Sequence, residues 1–419
     1  AKDRIIILDG AMGTMIQQYG LEEEDFRGYR YRKTPGMMKG NNDMLNITRP
    51  DVISDIHRKY LEAGADIITT NTFSSQRISQ ADYHLEDSAR AMALEGARLA
   101  RKAADEFSTE ERPRFVAGSV GPTNKTCSMS PDVSNPAARD LDYMTLYTDY
   151  VEQIEALEEG GADAILIETV FDTLNAKAAI DATMEVGRRT GKDLPIMLSI
   201  TVSDLAGRTL SGQTLDAVLA SVSSYPIFSI GLNCSFGADQ MKPFLKQLAH
   251  RAPYYISAYP NAGLPNSLGA YDETPESMAP QIQEFIDEGL VNIIGGCCGT
   301  TEKFIAKYVP IAEGNKPHVP QPKPQTMWLS GLELLDVTPD VRFVNVGERC
   351  NVAGSRKFLR LIKEKSYDEA VSIARKQVAD GALVIDVNMD DGLLDAREEM
   401  RTFLNIIASE PDIAKVPVM

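Results

Sequence analysis

The chain has 419 residues, 43% of them hydrophobic and 25% charged, and its formal net charge is −17. This length and composition are typical of a globular protein with about two domains, and the acidic charge argues against a nucleic-acid partner, which needs clustered lysine and arginine. No apolar run reaches the roughly 18–20 residues needed to cross a bilayer, so no membrane partner is expected.

Short apolar runs alternate with segments of helical period through the first 300 residues. The runs predict strands at 5–8, 66–71, 114–120, 164–169, 195–201, 228–234, 254–261 and 291–298, and the segments between them predict helices at 52–63, 88–105, 141–159, 173–188, 238–250 and 278–288. The runs are apolar on both faces, which is typical of buried parallel strands. Eight strands alternating with helices predict a (β/α)8 TIM barrel over residues 1–313. A doubly wound open sheet is the alternative, but no G-x-G-x-x-G sequence follows the first strand.

A proline-rich polar segment, GNKPHVPQPKPQT, follows at residues 314–326. We predict a semi-rigid linker over residues 314–341. The strand and helix pattern then restarts, with predicted strands within 342–351 and 381–392, helices near 368–380 and 395–409, and a candidate third strand at the final VPVM. Residues 342–419 are therefore predicted to form the N-terminal part of a second, incomplete (β/α)8-type barrel.

Five cysteines are few and odd in number, which does not fit a secreted disulfide framework and favours a reducing cytoplasm. Cys234 ends the sixth predicted strand, and Cys297 and Cys298 end the eighth. The carboxyl ends of barrel strands meet on one face, so the three sulfurs are expected to converge over the seventh strand. Three thiolates suit Zn²⁺, and the two glycines before Cys297 are expected to leave room for both neighbouring sulfurs. Inert buried thiols are the alternative, and this is our interpretation of Cys127 and Cys350.

Three protein ligands with one open position are typical of catalytic zinc. The open position is expected to take water, a substrate sulfur or, weakly, the side-chain oxygen of Asn261. Zinc bound by thiolates retains little Lewis acidity for making hydroxide but lowers the pKa of a bound thiol, so the expected chemistry is alkylation of a thiol. A purely structural zinc site without catalysis is the alternative, and it predicts four protein ligands.

Polar residues at the ends of other predicted strands suggest a pocket beside this metal site. Asp9, Gly10 and Ala11 follow the first strand in LDGAMGT, where backbone N–H groups at a glycine-rich helix start suit a carboxylate. Asp9 and Glu168 are candidates to hold an ammonium group. A carboxylate site, an ammonium site and a metal-bound sulfur together describe an amino acid that carries a thiol. The alternatives are a helix N-cap for Asp9 and an internally paired carboxylate for Glu168. Weaker candidates from nearby loops are Asn71 and Ser119.

These segments together resemble a known family. LDGAMGT, KGNND, TNTF, VGPTNKT, LIETVFDT, GRTLSGQT, GLNC, YPNAGLPN and GGCCGTT occur in order across residues 5–301 and resemble the homocysteine-binding barrel of cobalamin-dependent methionine synthase. FVNVGERCNVAGS and IDVNMDDGLLD resemble the start of that enzyme's folate-binding barrel. The resemblance implies that Cys234, Cys297 and Cys298 bind zinc, and that homocysteine, bound as the zinc thiolate, attacks methylcobalamin to give methionine.

The resemblance also implies that 5-methyltetrahydrofolate remethylates the cobalamin on the second barrel. The cobalamin-binding and reactivation modules of the family are absent from this sequence, so the cofactor is expected to be carried by the cobalamin-binding module of the same enzyme. Candidate folate contacts at predicted strand ends are Glu348, Asn351, Asp386 and Asn388. Hydrogen-bonded residues that fix loops are the alternative interpretation of these four.

The nearest rival function is a single-barrel homocysteine methyltransferase that uses betaine or S-methylmethionine. Such an enzyme shares the cysteine motifs but has no use for the pattern that restarts after residue 341, which argues against it.

Overall fold

Eight parallel strands form a barrel in the computed structural model, which describes residues 1–267 and 269–419. The strands are β1 Ile6–Ile7, β2 Ile67–Thr69, β3 Phe115–Val120, β4 Ala164–Val170, β5 Ile196–Ile200, β6 Ile227–Asn233, β7 Tyr255–Tyr259 and β8 Ile293–Ile294. Their order is β1-β8-β7-β6-β5-β4-β3-β2, and a parallel bridge between Leu8 and Ile67 joins the first strand to the second. The predicted barrel is confirmed, because an open sheet would leave β1 and β2 unpaired.

Helices connect successive strands. They are α1 Met12–Gln17, α2 Glu23–Arg27, α3 Leu45–Thr48, α4 Pro50–Ala63, α5 Arg77–Gln80, α6 Ala89–Phe107, α7 Tyr143–Glu159, α8 Thr173–Thr190, α9 Leu215–Val222, α10 Ala238–Ala249, α11 Pro275–Asp287 and α12 Glu302–Ala312. All six predicted helices are present within a few residues of the expected bounds. Within the described ranges, no helix combines the length and apolarity needed to span a membrane.

Local sequence sets the ends of the long helices. Asp172 caps α8, because its side chain accepts a hydrogen bond from the Leu174 N–H at 2.8 Å. Gly64 and Gly191 end α4 and α8 in the left-handed conformation, with φ of 108° and 69°. Glycine adopts this conformation without the clash that a Cβ atom introduces. The helices therefore stop where the chain must turn back to the barrel.

The barrel interior is filled by side chains from most of the strands. The buried members of this cluster are Leu8, Ala117, Leu166, Met197, Tyr259 and Ile293. Because side chains alternate between the two faces of a strand, the residues two positions further along face the same way. Glu168 lies two positions beyond Leu166 in β4, and Asp9 directly follows Leu8, so both carboxyl groups lie at the carboxyl ends of the strands.

The first compact unit comprises residues 1–125, 143–207 and 225–322 and contains all eight barrel strands. The second unit comprises residues 126–142, 208–224 and 323–419. It contains α9 and the elements β9 Met327–Ser330, β10 Leu334–Val337, β11 Val346–Asn351, α13 Arg356–Lys363, α14 Tyr367–Ala379, β12 Val384–Asn388, α15 Ala396–Ala408 and α16 Pro411–Ala414.

The second unit has its own apolar core and a parallel pair of strands. Phe358, Ile385 and Phe403 are buried in this core, and the two phenylalanine rings meet edge to face with centroids 5.2 Å apart. β11 pairs in parallel with β12, and Val418 forms a parallel bridge to Ile385 at the position of the candidate third strand. This is the predicted start of a second strand–helix repeat.

An antiparallel hairpin lies inside the segment that we predicted as a linker. In the pairing of β9 with β10, Met327 lies opposite Val337 and Ser330 lies opposite Leu334. In the turn between the two strands, the Leu332 carbonyl accepts a hydrogen bond from the Thr214 N–H at 3.0 Å. The sequence analysis did not predict this hairpin. Ordered strand structure therefore begins before residue 342.

Candidate active site

Three cysteine side chains converge at the carboxyl ends of β6 and β8. The Cys234 sulfur lies 2.7 Å from the Cys297 sulfur and 3.9 Å from the Cys298 sulfur. All three sulfurs lie within 4.8 Å of one another, and none of the three forms a disulfide. The expected convergence of sulfurs from two non-adjacent strands is therefore observed.

The pKa values of the three thiols indicate which kind of ligand would stabilise the cluster. Hydrogen bonds from Cys234 and Cys297 lower the pKa of Cys298 to about 3. The contacts of Cys297 with Cys234 and Cys298 raise the pKa of Cys297 well above its usual value. One sulfur is thus readily ionised, but three adjacent thiolates would repel one another in this partly buried site. A divalent cation removes that repulsion, and three cysteine sulfurs are the donor set of a soft or borderline metal.

Neighbouring atoms leave no room for a side chain at either of the two glycines before Cys297. A Cβ atom at Gly295 would lie 2.8 Å from the Asp9 carbonyl oxygen, and one at Gly296 would lie 2.3 Å from the Thr300 hydroxyl oxygen. Thr300 Oγ1 also donates to the Cys297 carbonyl at 2.7 Å. The glycines therefore allow the loop after β8 to fold tightly against the first strand, a more specific reason than the space around the sulfurs that the sequence suggested.

Asn261 lies next to the cysteines along the barrel rim. The N–H of the following residue, Ala262, donates to the Cys298 carbonyl at 2.9 Å, and the Cys297 N–H donates to the Pro260 carbonyl at 2.9 Å. Asn261 is 5% exposed, and its buried Oδ1 has no hydrogen-bond partner among the described residues. A buried amide oxygen without a partner is costly, so this atom is free to act as a weak ligand.

Asp9 and Glu168 line the same pocket as the cysteines, as does a third carboxyl group, that of Asp43. Asp9 accepts hydrogen bonds from the Thr69 N–H at 2.7 Å and the Thr69 hydroxyl at 3.1 Å. Glu168 accepts from the Ser119 hydroxyl and, at 3.3 Å, from the Tyr259 hydroxyl. Burial raises the pKa of Asp9 well above its usual value and also raises that of Glu168. A bound cationic group would relieve the cost of ionising both.

The first-strand loop closes another side of the pocket, which has a volume of about 370 Å³. A Cβ atom at Gly10 would lie 2.8 Å from the Tyr60 hydroxyl, so only glycine fits there. The Ala11 nitrogen lies 3.3 Å from the Thr300 hydroxyl oxygen. This N–H group, which was predicted to donate to a substrate carboxylate, therefore already has a partner in the protein. Asn71 lines the cavity, and its Nδ2 donates to the Asn42 carbonyl at 2.8 Å.

Comparison with known proteins identifies the family to which this barrel belongs. The family profile described as Homocysteine S-methyltransferase matches residues 6–310. The chain belongs to the homocysteine S-methyltransferase family. A second profile, described as Pterin binding enzyme, matches residues 347–419. This homocysteine methyltransferase therefore carries a pterin-binding domain after its barrel.

Solved structures show the same barrel fold. The oxidised form of the homocysteine methyltransferase MmuM from Escherichia coli is 23% identical, with a TM-score of 0.57, and the match covers 73% of this chain and 95% of that chain. The metallated form of that enzyme is 24% identical, with a TM-score of 0.54 and coverage of 73% and 96%.

The four candidate folate contacts lie on β11 and β12 of the pterin-binding domain. Asn351 Nδ2 donates to Asp386 Oδ2 at 2.9 Å, and Asn351 Oδ1 accepts from the Ala353 N–H at 2.9 Å. Asn388 Oδ1 accepts from the Asp390 N–H at 2.7 Å, while Glu348 is exposed and pairs with the neighbouring Arg349. The structure thus brings Asn351 and Asp386 together and uses Asn351 and Asn388 to hold loops.

Several residues of this homocysteine methyltransferase site were not among the predicted contacts. Thr69 and Tyr259 hydrogen-bond to the two pocket carboxyl groups. Asn233, which directly precedes Cys234, contacts the Thr169 side chain at 3.0 Å. Tyr271 hydrogen-bonds to Cys298. The available signal was a polar residue inside an otherwise apolar strand, as at Asn233.

Proposed function

We propose that this homocysteine methyltransferase is a zinc-dependent methionine synthase that takes its methyl group from methylcobalamin. The observation that carries the proposal is the pocket that joins three cysteine sulfurs to the buried carboxyl groups of Asp9 and Glu168. A thiol amino acid matches both halves of this pocket, because its sulfur suits the metal and its ammonium group suits the carboxylates.

Cys234, Cys297 and Cys298 would hold the zinc ion, with Asn261 Oδ1 as a weak fourth ligand when substrate is absent. The bound ion would supply a Lewis acid that lowers the pKa of the substrate thiol. The four donors are on or beside β6, β7 and β8, which are fixed by the barrel sheet. A rigid donor set keeps the substrate sulfur in one position, which is what methyl transfer along a defined line requires.

Asp9 and Glu168 would bind the ammonium group of homocysteine. Thr69 orients the first carboxylate, and Ser119 and Tyr259 orient the second, so each side chain is held before substrate arrives. In the reaction a bond would form between the substrate sulfur and the methyl carbon as the donor's bond to that carbon breaks; the demethylated donor would keep that bond's electron pair, and the thiol proton would leave to solvent. Gly10, Ala11 and Asn71 line the same pocket and are the proposed contacts of the substrate carboxylate, and Ala11 would have to exchange its bond to Thr300 for one to the ligand.

The pterin-binding domain is the feature that favours methylcobalamin over betaine or S-methylmethionine as methyl donor. Donors of the latter kind need no pterin, whereas 5-methyltetrahydrofolate on a second domain would regenerate methylcobalamin carried by a cobalamin-binding module. Glu348, Asn351, Asp386 and Asn388 are the proposed folate contacts. Since Asn351 and Asp386 already bond to each other, a pterin would have to accept or donate at their remaining lone pairs and protons.

The test is a comparison of methyl donors with the zinc-loaded 419-residue chain. Methylcobalamin, betaine and S-methylmethionine are each supplied with homocysteine, and methionine is quantified by mass spectrometry. We expect methionine from methylcobalamin, with the absorption change of cobalamin demethylation, and none above background from the other two. Turnover with betaine or S-methylmethionine alone would refute the cobalamin assignment and leave the family assignment intact.

A further inference from the structure

A distortion of β4 places two adjacent residues in the substrate pocket. β4 pairs with β5 through Ile167 and Leu198 and then through Val170 and Ile200, so β4 has one more residue than its partner strand in this interval. Such a bulge turns side chains from their regular alternation. Glu168 and its neighbour Thr169 both line the pocket as a result.

The bulge requires an unfavourable backbone conformation. Thr169 has a φ of 57°, in the left-handed region. A β-branched residue rarely adopts this conformation, because its side chain crowds the backbone, and such residues persist only where surrounding contacts hold them. The contacts that hold Thr169 are therefore expected to determine where Glu168 points.

Asn233 supplies those contacts from β6. Its Oδ1 accepts from the Thr169 N–H at 3.1 Å and from the Ser199 hydroxyl at 2.7 Å. Its Nδ2 donates to the Thr169 hydroxyl at 3.0 Å and lies 3.9 Å from the Cys297 sulfur. Asn233 is 1% exposed. An asparagine side chain has two donor hydrogens and two acceptor lone pairs, and all four are used here.

We propose that Asn233 is a positioning residue that couples the ammonium-binding carboxylate to the metal-binding sulfurs. On one side it holds Thr169 in the left-handed conformation, which directs Glu168 into the pocket. On the other side its amide contacts Cys297, and its own backbone leads directly into Cys234. This inference rests on the proposed function, since it assumes that Glu168 binds the substrate ammonium group and that the cysteines bind metal.

Two binding measurements separate the roles of Asn233. Homocysteine affinity of the zinc-loaded protein is measured by calorimetry, and metal affinity is measured without homocysteine by competition for Zn²⁺ with a chromophoric chelator. Asn233→Ala should weaken homocysteine binding at least tenfold and should also weaken zinc binding. Adding Thr169→Gly should recover much of the homocysteine affinity, because glycine adopts the left-handed conformation freely, but should leave zinc binding weak.

The matched control is Asn292→Ala. Asn292 is also fully buried in the barrel, and its side chain bonds to the Ile256 N–H at 2.8 Å and the His318 carbonyl at 2.7 Å, but it does not line the pocket. This variant is expected to lose stability without a selective loss of homocysteine or zinc affinity. Equal effects of the two alanine variants on both affinities would overturn the proposal.

A second comparison does not alter Asn233 and so remains informative if that variant does not fold. Thr169→Ala keeps the Cβ atom and loses the hydroxyl bond, whereas Thr169→Gly also removes the backbone strain. The proposal requires the glycine variant to bind homocysteine several-fold more tightly than the alanine variant, and equal or reversed affinities would refute it. If the unaltered protein binds zinc but not homocysteine, the proposed function fails, and the zinc affinity of Asn233→Ala still tests the contact with the metal site.

Discussion

Replacing Glu168 with glutamine tests the ammonium site with the smallest change in shape. Glutamine keeps an oxygen that accepts from Ser119 and Tyr259 but removes the negative charge. A hydrogen bond to a charged group contributes about 1.5–3 kcal/mol and a neutral one about 0.5–1.5 kcal/mol, so the expected loss is about 1–2 kcal/mol, or roughly 5- to 30-fold in affinity. Burial raises the pKa of Glu168, which makes its ionised form more costly and favours the lower half of this range.

The assay is isothermal titration calorimetry of the zinc-loaded proteins with two ligands, homocysteine and γ-mercaptobutyrate. The second ligand has the same thiol and carboxylate but no amino group. We expect Glu168→Gln to weaken homocysteine binding and to leave γ-mercaptobutyrate binding nearly unchanged. An equal loss for both ligands, or unchanged homocysteine affinity, would show that Glu168 does not hold the ammonium group.

Three further outcomes follow from the same site and from the barrel around it. Cys297→Ala should reduce zinc content from about one ion per chain to a small fraction by elemental analysis, since three ligands are needed, whereas Cys350→Ala should retain the metal. Homocysteine binding should release a proton, seen as a dependence of the calorimetric heat on the ionisation enthalpy of the buffer, and no dependence would contradict thiolate formation. His57 is buried with both ring nitrogens unpartnered among the described residues, and burial lowers its pKa from 6.5 to about 4. His57 therefore binds a proton more tightly in the unfolded chain than in the folded one, so the free energy of unfolding should fall by about 3 kcal/mol as pH drops from 6.5 to about 4. Denaturant unfolding measured across this pH range should show a weaker pH dependence in His57→Leu than in the unaltered protein. Equal pH dependence of the two proteins would show that His57 does not cause the loss of stability.

The barrel was predictable because eight short apolar runs alternate with segments of helical period over the first 300 residues. Several runs lie between a helix-ending glycine and a polar residue, as in the segment from Gly64 to Asn71, so local sequence indicates both their type and their bounds. The hairpin at residues 327–337 was not predictable in the same way. Its strands have only four residues each and follow a proline-rich segment, and their pairing with each other is what defines them.

The candidate site could be predicted where a residue's chemistry alone identifies it. Cys234, Cys297 and Cys298 stand at strand ends, and the topology of a barrel brings strand ends together. The bulge at Thr169 could not be predicted, because it depends on a register difference between two strands and on contacts from a third. Nothing in the local sequence LIETVFDT specifies an extra residue in the pairing.

The separation of the three sulfurs between β6 and β8 has a consequence for synthesis of the protein. A nascent chain that ends before the last strand has only one of the three site cysteines, Cys234, and a single thiol binds zinc weakly. At about 5–20 residues per second, the ribosome needs tens of seconds to make the barrel, so capture of the proposed metal would have to wait until the eighth strand has been made. A truncated barrel would then be recovered from cells as a metal-free and protease-sensitive product, and zinc occupancy would report how many chains were made to the end of the eighth strand.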